Sequence, residues 1–91
     1  MLLQCVCVYD RKVEDYSPMI SFKHNGDALR WFEECSKDPK QNIGRYPSDF
    51  SLIHVGDFDT SSAVFTDRGM TTLAHADSFA SIASLVPISS K

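Results

Sequence analysis

Leu2-Leu3-Gln4-Cys5-Val6-Cys7-Val8-Tyr9, followed at once by Asp10-Arg11-Lys12, is the stretch on which the fold turns. It is a nearly continuous apolar run of strand length, rich in valine and stopped by charge. Such a run reads as a central strand buried on both faces. A central strand needs partners along both edges and a layer packed on it, so the rest of the chain is read for those.

Beyond Pro18, Ile20 and Phe22 share one face of a short alternating segment while Ser21 and Lys23 share the other, which predicts a half-exposed strand over 18–23. Asn25 stands where a helix N-cap belongs, with Asp27 beside the positive end of the dipole. Ala28, Trp31, Phe32 and Cys35 then gather on one side of a helical wheel, and Arg30, Glu33, Glu34 and Lys37 on the other. That spacing predicts an amphipathic helix over 26–37 laid on a sheet, with Trp31 and Phe32 facing it. Residues 38–49 are dense in turn formers and predict a surface loop. Phe50 to Phe58 predicts a third strand, with Phe50, Leu52 and Phe58 on one face, and 63–66 a short fourth strand returning as a hairpin. The expected fold class is α+β: a mostly antiparallel four-stranded sheet with one amphipathic helix on one face, as a single domain over 1–80. A Ser/Ala-rich C-terminal tail over 81–91 completes the chain, and Ala76, Phe79, Ala80, Ala83 and Val86 fit either a helix or an extended arm.

Composition narrows the classes of function. Ninety-one residues suffice for one domain, and 43% hydrophobic residues with ten aromatics suffice for a core. The longest apolar run is too short to cross a bilayer, and the start of the chain has neither the basic residues nor the cleavage site of a secretory signal. The expectation is therefore an intracellular protein whose Cys5, Cys7 and Cys35 are free thiols. A net charge of −3 argues against indiscriminate polyanion binding. The charge is uneven: residues 1–46 hold seven basic and seven acidic side chains, residues 47–91 two and five, so any basic patch must come from the first half.

Chemical constellations are sparse. Cys5-x-Cys7 puts two sulfurs on one strand face, but neither His24, His54 nor His75 completes a zinc pattern of finger or ribbon spacing. Asp57-x-Asp59-x-Ser61 resembles the opening of a calcium loop, yet Arg68 stands where a bidentate glutamate is required, so the aspartates are read as strand-ending turn formers. Cys35 belongs to the buried helix face and His54 to an apolar strand without a visible partner. The four glycines are scattered singly rather than grouped around a phosphate loop. No enzyme and no cofactor is expected. What remains is a run of basic residues interleaved with aromatics: Tyr9, Arg11, Lys12, Tyr16, Phe22, Lys23, Lys37, Lys40, Arg45 and Tyr46. Single-stranded nucleic acid is held by that combination, cations following the backbone and rings accepting stacked bases.

The order of five segments resembles one known group: Val8-Tyr9-Asp10-Arg11-Lys12, Gly26-Asp27-Ala28-Leu29-Arg30-Trp31-Phe32, Asp38-Pro39, Tyr46-Pro47-Ser48-Asp49-Phe50 and Gly56-Asp57-Phe58-Asp59. Over residues 1–80 the chain resembles the small nonstructural protein of gokushovirus-type phages, members of the single-stranded DNA Microviridae. The resemblance implies a phage-encoded protein absent from the mature capsid. It further implies association with single-stranded DNA or with the switch from duplex replication to single-strand synthesis and packaging, in the cytoplasm of the infected bacterial host. The matched positions are Tyr9, Asp10, Lys12, Ala28, Arg30, Phe32, Asp38, Pro47, Asp49, Phe50, Gly56, Phe58 and Asp59, of which only Lys12 and Arg30 suit phosphate. Relatives commonly place an Asn before the helix-ending Asp, where Ser36-Lys37 stands here, and the tail after Phe79 is peculiar to this chain.

Together these readings predict single-stranded DNA held by Lys12, Lys23, Arg30, Lys40 and Arg45, with Tyr16 and Tyr46 stacking on bases. The alternative is a protein-interaction module regulating a host or phage replication factor without binding DNA. A homodimer or higher oligomer is also expected. The fourth strand has no proline or charge to block pairing, and Phe79, Ile82, Leu85, Val86 and Ile88 add apolar surface.

Overall fold

The computed structural model describes residues 1–79. It is an α+β fold in which β1 (Leu2–Asp10), β2 (Asp15–Tyr16), β3 (Ile20–Phe22), β4 (Phe50–Asp59) and β5 (Val64–His75) form one antiparallel sheet. Two helices, α1 (Asn25–Lys37) and α2 (Asn42–Arg45), and a 3-10 turn over Pro47–Asp49 connect β3 to β4. β1 is central: β4 runs along one edge, while β2 and β3 share the other end to end, Tyr9 facing Tyr16 and Val6 facing Ile20. The expected tail over 81–91 lies outside the described residues.

The core lies between α1 and one face of this sheet, where Val6, Val8 and Leu52 pack against Ala28 and Phe32. Phe32 is fully buried, and its ring meets the Phe79 ring edge-on at 6.4 Å. Trp31 is half-buried and packs on Phe22 at 5.8 Å. Both side chains serve the helix–sheet seam, as the wheel predicts. Lys37 closes the helix with a 2.8 Å contact to Glu33, one turn back.

Several local expectations are corrected. The helix is capped from His24 rather than Asn25, without a side-chain cap, and the Asn25 amide oxygen is buried with no partner among the described residues. The strand expected over 18–23 pairs over Ile20–Phe22, and an unexpected two-residue strand, Asp15–Tyr16, precedes it, set apart by Pro18, which lacks an N–H for the ladder. Five strands result, not four. The loop over 38–49 is organised into α2 and the 3-10 turn. The last strand reaches His75 instead of stopping at Thr66, because Gly69, at φ +72°, lets the chain kink and continue pairing instead of turning away. Residues 76–79 then begin a helical turn.

A bulge in β4 matters most. Cys5 pairs with Gly56 but Val6 with His54, so Val55 is an extra residue opposite a single step of β1. Side chains beyond it change sides. Leu52 stays on the α1 side with its partner Val8, while Phe58, opposite Leu3, faces the other way; the expectation that Leu52 and Phe58 share a face therefore fails. Gly56 is where the next strand crosses most tightly. A Cβ there would lie 2.5 Å from the Thr66 carbonyl oxygen and run into the Phe65 ring. The ring can rotate away; the carbonyl, fixed in the ladder, cannot. Gly56→Ala is expected to destabilise the fold by about 1–3 kcal/mol, the cost of overpacking, read as a lower urea midpoint. An unchanged midpoint would show that β5 does not cross Gly56 this closely.

Of the two aspartates expected to end the strand in an Asx-type turn, Asp59 does so, whereas Asp57 lies inside β4, buried against His54 and Arg68. The Asp59 carboxylate accepts from the Ser61 backbone N–H at 2.9 Å, and the Met1 ammonium stands 3.5 Å away. The Ser61 N–H, helped by that ammonium, holds the Asp59 carboxyl below its ordinary range. The contribution is in place above the unfolded carboxylate pKa and is lost as pH falls through the lowered folded value.

Candidate nucleic-acid interface

The helices leave the second face of the sheet bare among the described residues. The expectation that β1 is covered on both faces is half right: Cys5 and Cys7 are buried, but by neighbouring side chains and not by a second layer. Burial pushes the Cys7 thiol up, with Cys5 adding to the effect, and burial does the same to Cys35, reinforced by Asp38 and Glu34. These are shielded, protonated thiols, unsuited to nucleophilic work. Among the described residues no group of three metal-ligating side chains comes together.

Two clefts lie along the bare face. The first, about 550 Å³, is lined by Tyr9 and Arg11 of β1 and its following turn, Tyr16 of β2, Ser51 and Ile53 of β4, and His75 of β5. The second, about 310 Å³, is bordered by Cys7, Met19, Val55, Phe65 and Met70, and again by Tyr16. Tyr16 is the shared wall. Its ring lies 4.6 Å from the Tyr9 ring, tilted 45°, and its hydroxyl reaches the Met70 sulfur at 3.5 Å, spanning β1 and β4 to touch β5. The two clefts thus make one trough along the sheet, crossed by a single tyrosine. It is aromatic at its middle, polar at the Arg11 end and apolar at the Phe65 end.

On the α1 side, the sheet beyond the helix carries a second polar group. The Asp57 carboxylate, 8% exposed, meets His54 Nε2 at 3.1 Å and Arg68 Nε at 3.0 Å. His54, without a visible partner in the sequence, has one. The network satisfies a buried carboxylate and holds β5 on β4 across the bulge.

The seven residues expected to bind nucleic acid do not form one site. Tyr16 is on the bare face, exposed and beside Tyr9. Lys12 and Tyr46 line a small depression of about 190 Å³ near α2, which also contains Asp10 and Asp49. Lys40 and Arg45 are neighbours there, Arg45 donating to the Lys40 carbonyl at 3.4 Å. Lys23 follows Phe22, which pairs with Gln4, whereas Lys12 follows Asp10. The two lysines are therefore separated along β1 by six residues, roughly 20 Å at strand rise. Arg30 is exposed on α1. The structure gathers instead Tyr9, Arg11, Ser51 and His75 around Tyr16. Tyr9 and Arg11 are visible in the basic-aromatic run, but pairing them with Tyr16 requires the Tyr9–Tyr16 register, which a two-residue strand does not announce.

The chain matches the family described as Phage ORF5 protein over residues 3–79. It is 36% identical over 78 residues to Protein ORF5 of Chlamydia phage 1, with 79% of this chain and 81% of that protein covered. No solved structure matches.

Proposed function

We propose, from the premise that this chain belongs to the Phage ORF5 protein family, that it is a nonstructural accessory of viral genome replication, or of the switch to single-strand synthesis and packaging, which binds single-stranded DNA on the bare face of its sheet. The observation that supports this most directly is the Tyr9–Tyr16 ring pair on that face, next to Arg11. Rings held on a sheet offer stacking surfaces that any base can use, and a neighbouring guanidinium balances the backbone charge. The trough does hold a hydroxyl–imidazole contact, Ser51 Oγ to His75 Nδ1 at 2.8 Å, read here as polar lining for a ligand, and no group of three metal-ligating side chains gathers among the described residues; binding without chemistry is the role we assign. Such a protein acts in the cytoplasm of the infected host. Among the described residues no helix is long and apolar enough to cross a membrane.

Fluorescence anisotropy with labelled single-stranded oligonucleotides at two salt concentrations tests the reading. Binding is expected at low salt and is expected to weaken as salt rises, because each phosphate contact releases counterions. An anisotropy that stays flat at low salt rejects it.

A second reading, an interaction module acting on a host or phage replication factor without touching DNA, is favoured by the net charge of −3 and by exposed Val64, Phe65 and Met70 on β5. The same strand supports self-association. β5 is twelve residues long and, among the described residues, pairs along one edge, so its other edge's backbone donors and acceptors have no partner among them. A homodimer that pairs β5 with its copy would double the sheet and repeat the trough, turning a weak grip into avidity along a strand. Light scattering coupled to size exclusion is expected to give twice the chain mass at protein concentrations on the order of tens of micromolar, where weak dimers form; a single-chain mass refutes the dimer.

A further inference from the structure

The two ends of the trough differ in chemistry. Past Cys7 and Val55 its walls are mostly apolar, whereas near Arg11 the sheet ends and two flanking elements border the cleft: Ser48 from the 3-10 turn and Asp77 from the helical turn after β5. Polar groups are concentrated at this walled end. Arg11 is tethered there to Asp49 through its backbone, and its exposed side chain lies near the same residue. Its backbone N–H donates to the Asp49 carbonyl at 2.9 Å, and its Nε stands 3.5 Å from the Asp49 carboxylate. With Nε, and not the terminal nitrogens, nearest that carboxylate, the largely exposed guanidinium has its two terminal nitrogens as a fork that fits phosphate oxygens. Across the ladder, Ser51 Oγ and His75 Nδ1 are 2.8 Å apart. With the serine hydroxyl donating to Nδ1, the neutral ring carries its proton on Nε2 and is a further donor in the cleft. About 550 Å³ is ample for one nucleotide, within the usual range of small-molecule sites.

We infer that this walled end is a phosphomonoester subsite, seating the terminal phosphate of a single strand or of a free nucleotide while the adjoining base lies on Tyr9 and Tyr16. A phosphomonoester has three unesterified oxygens and a charge near −2, against two oxygens and one charge for a diester inside a strand. A guanidinium fork with an imidazole N–H beside it, its tautomer fixed by Ser51, matches the first better than the second. Asp77 faces the same space and repels an anion, so the grip depends on Arg11, and Asp77→Asn is expected to tighten it. For a strand end, the inference rests on the single-strand reading above.

The test uses the full chain and internally labelled 12-nucleotide strands of one sequence, carrying a 5′-phosphate, a 3′-phosphate or hydroxyls at both ends, with dAMP titrated separately by calorimetry. A phosphate at one of the two ends is expected to tighten binding about tenfold, the scale of a charged hydrogen bond. Arg11→Gln should abolish that gain, and Ser51→Ala should reduce it, in proteins whose circular dichroism is unchanged. Equal affinity for the three strands overturns the subsite and leaves the single-strand reading standing. Binding of dAMP without binding of any strand assigns the subsite to free nucleotides and overturns the single-strand reading. Binding of neither overturns both.

Discussion

Phe32→Ala is expected to lower stability by about 3–5 kcal/mol, the cost of emptying a buried aromatic site. The magnitude follows from its position. Phe32 is fully buried beneath α1, within the cluster that joins Val6, Val8 and Leu52 to Ala28, and its ring meets Phe79 edge-on. Removing it opens a cavity in the one seam that ties the helix to the sheet. Domains of this size are stable by only about 5–15 kcal/mol, and each kcal/mol is worth roughly 4–8 °C of melting temperature. The variant is therefore expected to melt tens of degrees lower. Urea unfolding followed by Trp31 fluorescence gives the measurement, since Trp31 lies 6.4 Å from the deleted ring. A loss under about 1 kcal/mol would mean that α1 is not seated on the sheet through Phe32, because even a single buried methylene is worth nearly that much.

The second large effect concerns binding. Tyr9→Ala and Tyr16→Ala are each expected to weaken single-stranded DNA binding by about 1–3 kcal/mol, or roughly 5- to 150-fold, the measured range for one base–aromatic stack. Tyr16→Phe keeps the ring and loses only the hydroxyl that reaches Met70. Its affinity should stay within about twofold of the parent, since a neutral hydrogen bond to a weak acceptor contributes little. Lys12→Ala with Arg45→Ala removes two cations from the α2 side of the molecule. Should that pair weaken binding while both tyrosine variants bind normally, the interface lies by α2 and the bare face is not the site. Anisotropy titrations at one fixed salt concentration decide it.

The sequence shows where the elements are better than how they meet. The β1 stretch, the α1 wheel and the β4–β5 hairpin are legible because each depends on a local period: a continuous apolar run, a repeat of three to four, and a turn between alternating segments. The long β5 is not, because Asp67-Arg68-Gly69 looks like a stop. It is part of a strand because the β4 ladder resumes past Gly69, from His54–Thr71 to Ser51–His75, a long-range pairing that Asp67-Arg68-Gly69 does not announce. The side change of Phe58 is hidden for a related reason, since one extra residue at Val55 reverses the alternation and leaves no local mark. Of the site, Tyr16 is found from composition. The gathering of Tyr9, Arg11, Ser51 and His75 around it depends on cross-strand register among three strands, which no single segment encodes. Basic residues counted together in the sequence fall around two helices and both ends of β1, because charge has no period that reports a face.

The interruption of one sheet edge by Pro18 has a kinetic consequence. Tyr9 is carried by β1, paired on both sides, whereas Tyr16 is carried by a two-residue strand that follows Glu14, a residue at φ +58°. What ties this short strand down is Ser17, whose backbone N–H donates to the Val8 carbonyl at 2.8 Å and whose hydroxyl accepts from the Val8 N–H at 2.9 Å. So few bonds open far more often than the whole molecule unfolds. In deuterium exchange the Tyr9 amide belongs with the slowest group and the Tyr16 amide with a fast one, although their rings touch. The aromatic pair then has a rigid half and a half that opens on its own. Any ligand that clamps both rings must also close that local opening, so stiffening residues 11–15 would tighten binding without altering a single contact to the ligand.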